Sequence, residues 1–250
     1  MITFNNWLFR NILVPRMSLA RVAIRSVQRL ISFRLPAKVM NGLFEGAPLE
    51  KNYIGSSLLP KQLGTYESEL APDIQRIVTL GNCDSLLDIG CAGGYYISVC
   101  HYLNPKLYIR GIDISQKSAA AIQRYCVKYK VNVDLKVKAA EADDIYSMCA
   151  EFKRPLIIID IEGSEFSLFS EFDFSRARNA FFVVEVHPQM QIDSDEIAKI
   201  FTDTHNVKIV KFINYSISEK TKVTLQALYR LIRIHELRDP STYYLIIQPK

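Results

Sequence analysis

The chain has 250 residues, 49% hydrophobic and 23% charged; this suits one α/β domain with a terminal extension and supplies a sizeable core. Its net charge of +5 is uneven: the first 44 residues hold seven of the 31 bases and no acid, leaving 24 bases against 26 acids in the rest, so the main domain is not of the basic, nucleic-acid-binding kind. The five cysteines, at positions 83, 91, 100, 126 and 149, form no C-x-x-C pair and read as reduced core thiols of a cytosolic protein, and no run of about 18 apolar residues predicts a membrane-spanning helix.

Residues 1–44 form the first segment. From Pro15 to Pro36 the pattern is helical, with Ser18, Arg21, Arg25, Gln28, Arg29 and Ser32 on one arc. Leu19, Ala20, Ala23, Ile24, Val27, Leu30 and Ile31 fill the opposite arc. This basic amphipathic helix has three readings: a helix packed on the main domain or a partner subunit, a membrane-surface helix, or an organelle presequence. The stretch 45–80 reads as a linker or active-site flap, rich in Gly, Pro, Ser and Asn over 41–65, and a lead-in helix from Glu67 to Leu80.

The main domain, 81–250, alternates. Strands are predicted at Ser85–Cys91, Leu107–Ile114, Val133–Ala139, Leu156–Ile161, Ala180–Val186, Val207–Asn214 and Tyr243–Gln248. Helices are predicted at Tyr95–Leu103, Ser115–Lys130 with Ser115 as N-cap, Asp143–Phe152, Phe166–Phe172 and Asp193–Thr204, with Thr224–Ile234 helical or irregular. The expected architecture is a doubly wound, seven-stranded, mostly parallel sheet of the Rossmann-like kind.

Ligands of such sheets bind beyond the carboxyl ends of the strands, at the switch point. The first strand ends Asp88-Ile89-Gly90-Cys91-Ala92-Gly93-Gly94. A dinucleotide site would read G-x-G-x-x-G, with a pyrophosphate at the helix N-terminus. Here the pattern is G-x-x-G-G, and Asp88 precedes it. A carboxylate repels a pyrophosphate and attracts an ammonium or sulfonium, so the ligand is read as cationic. The second strand ends Gly111-Ile112-Asp113-Ile114, where the acid can accept both ribose hydroxyls. The third ends Ala139-Ala140-Glu141-Ala142-Asp143, where Glu141 or Asp143 can reach an adenine amino group.

With these pieces in place, residues 61–190 resemble the class I S-adenosylmethionine-dependent methyltransferases, and within them the FkbM-like group. The resemblance is carried by Leu63-Gly64-Thr65-Tyr66-Glu67-Ser68-Glu69-Leu70, the glycine motif, Gly111-Ile112-Asp113, Asp160-Ile161-Glu162-Gly163-Ser164-Glu165 and Val184-Glu185-Val186-His187. It implies S-adenosylmethionine as cofactor and O-methylation of a sugar, glycan, glycolipid or other small natural product. The expected cofactor-binding residues are Glu67, Asp88, Gly90, Ala92, Gly93, Asp113, Ile114, Glu141, Ala142 and Asp160, with Glu67 placed by the resemblance.

The expected catalytic residues are Asp160, Glu162, Glu185 and His187. Residues i and i+2 of a strand share a face, so each pair can converge, and an imidazole is suited to proton transfer near neutrality. Three carboxylates and an imidazole can also hold Mg²⁺, but a divalent metal is not expected and no metal ligand is assigned. The remaining expectations are a cytoplasmic protein, peripheral on the inner face of a membrane through residues 1–44, with a homodimer left open. A non-catalytic methyltransferase-fold scaffold is the alternative reading; an NAD-dependent oxidoreductase is weakened by the missing G-x-G-x-x-G.

Overall fold

The computed structural model describes residues 25–52, 55–169, 172–187, 199–211 and 243–250. Helix α1 (Leu58–Leu63) and α2 (Ala71–Leu80) precede the alternating part. There follow β1 (Ser85–Ile89), α3 (Tyr95–Leu103), β2 (Tyr108–Asp113), α4 (Gln116–Tyr129), β3 (Asp134–Val137), α5 (Ala142–Glu151) and β4 (Pro155–Ile159). The chain continues with α6 (Glu165–Phe169), β5 (Phe181–Val186), β6 (His205–Lys211) and β7 (Tyr243–Pro249).

The strands form one seven-stranded sheet in the order β3-β2-β1-β4-β5-β7-β6. Strands β1 to β5 pair in parallel, and β7 runs antiparallel to both β5 and β6. This is the doubly wound sheet the alternation predicts, with one reversed strand. The order turns back between β1 and β4, which opens the switch point at their carboxyl ends.

Side-chain alternation divides the core in two. Leu86, Ile158, Val183 and Ile246 enter one layer; Leu87, Ile159, Val184 and Leu245 enter the other. On α4, Ser118, Ala121, Ile122 and Tyr125 turn inward at helical spacing, and the Ser115 hydroxyl accepts the Ser118 N–H at 3.3 Å, the predicted N-cap.

Several boundaries differ from the sequence reading. Helix α2 starts at Ala71, not Glu67, because Glu67 adopts a left-handed φ of 43°. Strand β1 stops at Ile89, because Gly90 turns at φ 79°. The stretch read as a linker or flap is packed against the main core over part of its length. Val39, Phe44, Ala47 and Leu49 belong to the main core, and α1 follows them.

The helical turns over 25–34 keep the expected faces only in part: Arg25 and Arg29 of the polar arc are exposed and Ile31 of the apolar arc packs inward. Gln28 and Ser32 of the polar arc are buried, while Val27 and Leu30 of the apolar arc are exposed, Leu30 at 71%. The cause is distant in sequence. Gln62 donates to the Ser32 and Pro36 carbonyls, and Ile31 and Leu35 pack on Leu59 and Leu63. The expected helix Thr224–Ile234 and the first half of Asp193–Thr204 lie outside the described residues. So do the start of the N-terminal helix and the last residues of the strand expected over Val207–Asn214.

Candidate functional site

Strand parity builds the site. Asp88 on β1, Asp113 on β2, Asp160 just past β4, and Glu185 and His187 on and past β5 continue the face of Leu86, Ile109, Ile158 and Val183. All five therefore present to one side of the sheet, at the carboxyl ends of four adjacent strands.

The glycine turn is fitted to this place. Gly90 donates to the Ile112 carbonyl at 2.8 Å, and a Cβ added there would lie 1.7 Å from the Asp160 carbonyl oxygen. Only glycine lets the ends of β1 and β4 close on each other. Ala92 follows at φ 42°, and Gly93 is buried in the same turn. Asp113 braces the turn: one carboxylate oxygen accepts the Ala92 N–H and the other the Ser115 N–H, both at 2.8 Å. Each oxygen keeps a further lone pair for a ligand hydroxyl. Ile114 beside it is 78% exposed.

Asp88 is 2% exposed, and its Oδ2 has no hydrogen-bond partner among the described residues. Burial, with the charges of Asp160, Asp113 and Glu67 added, pushes its carboxyl well above the usual range. Glu67 is itself buried. This crowding of acids is what a bound cation would relieve. Together with the turn that lets a ligand meet bare backbone, it fits the residues to a cationic nucleoside cofactor.

Glu141 and Ala142 stand somewhat apart, at the start of α5. Lys138 bridges Glu141 at 3.1 Å and Asp144 at 2.9 Å, and the Asp144 carboxylate accepts the Glu141 N–H. Helix capping and an ion pair therefore already employ Glu141. Its side chain is 73% exposed, so it stays accessible to a ligand.

The expected catalytic quartet does converge. His187 Nε2 lies 3.4 Å from Glu162, 3.8 Å from Asp160 and 3.9 Å from Glu185. One ligand atom each from Asp160, Glu185 and His187 falls within 4.8 Å of the others. Glu162 reaches outward at φ 55°, its side chain 85% exposed.

The residue without an expected role is Glu165. Its Oε1 meets His187 Nδ1 at 3.0 Å and accepts the N–H groups of Ile161 and Gly163. Burial opposes the charge on His187, but the hydrogen bond to Glu165 and the charges of Glu165, Asp160 and Glu162 prevail and raise its pKa. Burial likewise opposes the charge on Glu165, yet the bonds from His187 and the backbone lower its pKa. Glu165 is the last letter of D-x-E-G-x-E, the one signal that could have drawn attention to it. Lys61 carried no such signal: it is fully buried, bonded to Ser56, with its ammonium 3.2 Å from the Tyr66 ring centroid.

No family model and no curated protein matches the chain. Among solved structures it is similar to the precorrin-6y C5,15-methyltransferase of Geobacter metallireducens, with 14% identity over 81% of this chain and 96% of that one, TM-score 0.46. It is similar to StiE O-MT residues 961–1257, with 13% identity over 74% and 76% of the two chains, TM-score 0.41. A third is the plantazolicin methyltransferase BpumL in complex with a triazolic desmethylPZN analog and SAH, with 14% identity over 71% and 81%, TM-score 0.37. The identities are low, and the chemistry proposed below is drawn from this chain's own residues.

Proposed function

We propose that the chain is an S-adenosylmethionine-dependent methyltransferase of the FkbM-like kind, acting on a hydroxyl oxygen of a sugar, glycan, glycolipid or other small natural product. The observation that carries this reading is Asp88: a buried acid among further acids, one of its oxygens without a hydrogen-bond partner among the described residues, beside a glycine turn at the switch point. A cation belongs there, and a pyrophosphate does not.

When bound, S-adenosylmethionine supplies an electrophilic methyl group on a sulfonium, and the C–S electron pair returns to sulfur on transfer. Asp113 offers its remaining lone pairs to the ribose hydroxyls. Ile114 gives the adenine an apolar surface. Asp88 and Asp160 face the cationic end. Most of the rate gain comes from holding the two reactants in line. The acceptor hydroxyl must also lose a proton, and His187 and Glu162, at the open end of the acidic cluster, are placed to take it and pass it to solvent.

The exposed Val27, Leu30 and Phe33, set among Arg25, Arg29 and Arg34, support a peripheral seat on an anionic membrane. A lipid-linked acceptor would be within reach there.

Calorimetry of the full chain with S-adenosylhomocysteine tests the reading. Stoichiometric binding is expected, with a loss of at least tenfold in affinity for Asp113→Ala. An absence of binding by the wild type, or an unchanged affinity in Asp113→Ala, sinks it.

A further inference from the structure

Asp160 and Glu185 come from adjacent parallel strands, and His187 follows Glu185 on the same face. The imidazole is held in a defined orientation. Its Nδ1 meets the Glu165 carboxylate at 3.0 Å, and that carboxylate is 2% exposed and pinned by two backbone N–H groups. A carboxylate at this distance keeps the ring proton on Nδ1. The lone pair on Nε2 is then turned towards Asp160, Glu162 and Glu185, all hydrogen-bond acceptors. Carboxylates gathered this closely around one ring nitrogen favour a positive charge among them.

We propose that Asp160, Glu185 and His187 bind a divalent cation of the Mn²⁺ or Mg²⁺ class, with Glu165 as the positioning residue that orients the imidazole. Binding follows from the donor set alone; the role given to the cation rests on the methyltransferase reading. The geometry suits it. Ligands about 2.1 Å from an octahedral cation lie about 3.0 Å apart when adjacent and about 4.2 Å apart when opposite. The His187 nitrogen stands 3.8 and 3.9 Å from the two carboxylate oxygens, and the three atoms lie within 4.8 Å of one another, so closing on a cation draws the ligand pairs together by up to about 0.9 Å. Two hard oxygens with one imidazole favour Mn²⁺ or Mg²⁺ over the thiolate-preferring metals. A carboxylate behind the metal-binding imidazole is the usual outer support of such a site.

Three protein ligands leave coordination positions for water and for the acceptor oxygen. A cation there lowers the pKa of the acceptor hydroxyl. His187 then serves as ligand, and Glu162, outside the ligand set and largely exposed, takes the proton as the O–C bond forms.

The test is a titration of the full chain with Mn²⁺, followed by the electron paramagnetic resonance of the free ion. S-adenosylhomocysteine binding is measured by calorimetry on the same samples. One Mn²⁺ per chain is expected. Glu185→Gln should weaken it by at least about tenfold, and Glu165→Gln by about 10–100-fold, the range for an outer-shell partner. Retained S-adenosylhomocysteine binding would show that both variants are folded. Should Glu185→Gln not fold, His187→Gln takes its place in the titration. Cofactor binding without stoichiometric Mn²⁺ binding, or Mn²⁺ affinity unchanged in the variants, overturns the cation site and leaves the cofactor reading standing. Mn²⁺ binding without S-adenosylhomocysteine binding does the reverse.

Discussion

At Asp88 a carboxyl group sits away from water among other carboxyls, and its pKa is raised in the folded chain. The folded protein therefore keeps a proton that the unfolded chain releases above about pH 3.9. Stability falls as pH rises from there towards the folded pKa. Asp88→Asn removes this penalty, so at neutral pH the ligand-free variant should melt about 2–4 °C higher, the shift per ~1 kcal/mol for a chain of this size. The same variant should lose more affinity for the cationic S-adenosylmethionine than for the neutral S-adenosylhomocysteine. Differential scanning fluorimetry and calorimetry check the two halves; a lower melting temperature contradicts the first. Asp88 and Asp113 were legible in sequence because strand ends and acids are both visible there. Glu165 was not given a role, because its partner His187 is 22 residues away and only the pairing of β4 with β5 brings them together. The bracing of Ala92 by Asp113 was equally hidden, since a positive φ at alanine leaves no mark on residue type.

Among the elements, the close approach of the ends of β1 and β4 tolerates no side chain at Gly90. Gly90→Ala would pair a left-handed φ of 79° with a Cβ 1.7 Å from a backbone oxygen. A loss of more than about 3 kcal/mol in urea unfolding is expected, since strain and backbone displacement add to the ~1–2 kcal/mol of the φ alone. At the other edge of the parallel strands, Arg110 on β2 holds Asp134 on β3 at 2.6 Å and meets the Tyr108 hydroxyl at 3.1 Å. Burial raises the Asp134 pKa, but its bonds to Arg110 and Tyr108 and the nearby positive charges together lower it overall. That stabilisation is complete above about pH 3.9 and is lost as pH falls through the folded pKa. With the carboxylate 36% exposed, screening limits it to about 1 kcal/mol. Asp134→Asn should flatten the difference in unfolding free energy between pH 7 and pH 3 by that amount. Strand and helix identities were readable from apolar runs and capping residues, but their ends were set by left-handed residues such as Glu67. In the helix over 25–34, Gln28 and Ser32 are buried against their polar type, and for Ser32 the cause is Gln62, which reaches it from 30 residues further along.

For the whole molecule, alternation of strands and helices revealed the parallel sheet, whereas the reversed β7 had no signature in its residues. The basic first segment predicts that the full chain co-sediments with phosphatidylserine vesicles and not with phosphatidylcholine ones. Leu30→Glu combined with Phe33→Glu should cut the bound fraction at least fivefold without moving the melting temperature; equal binding by the double variant rejects a membrane seat. The placement of β7 has a further consequence, for the order of assembly during synthesis. Strand β5 carries Glu185 opposite Tyr244 of β7, yet β7 is synthesised well after β5. At about 5–20 residues per second, β5 waits several seconds as a bare, apolar sheet edge. Such an edge can recruit another chain. The nascent protein is thus most vulnerable to aggregation at the strand that carries Glu185, and a chaperone would be most useful to it in that interval.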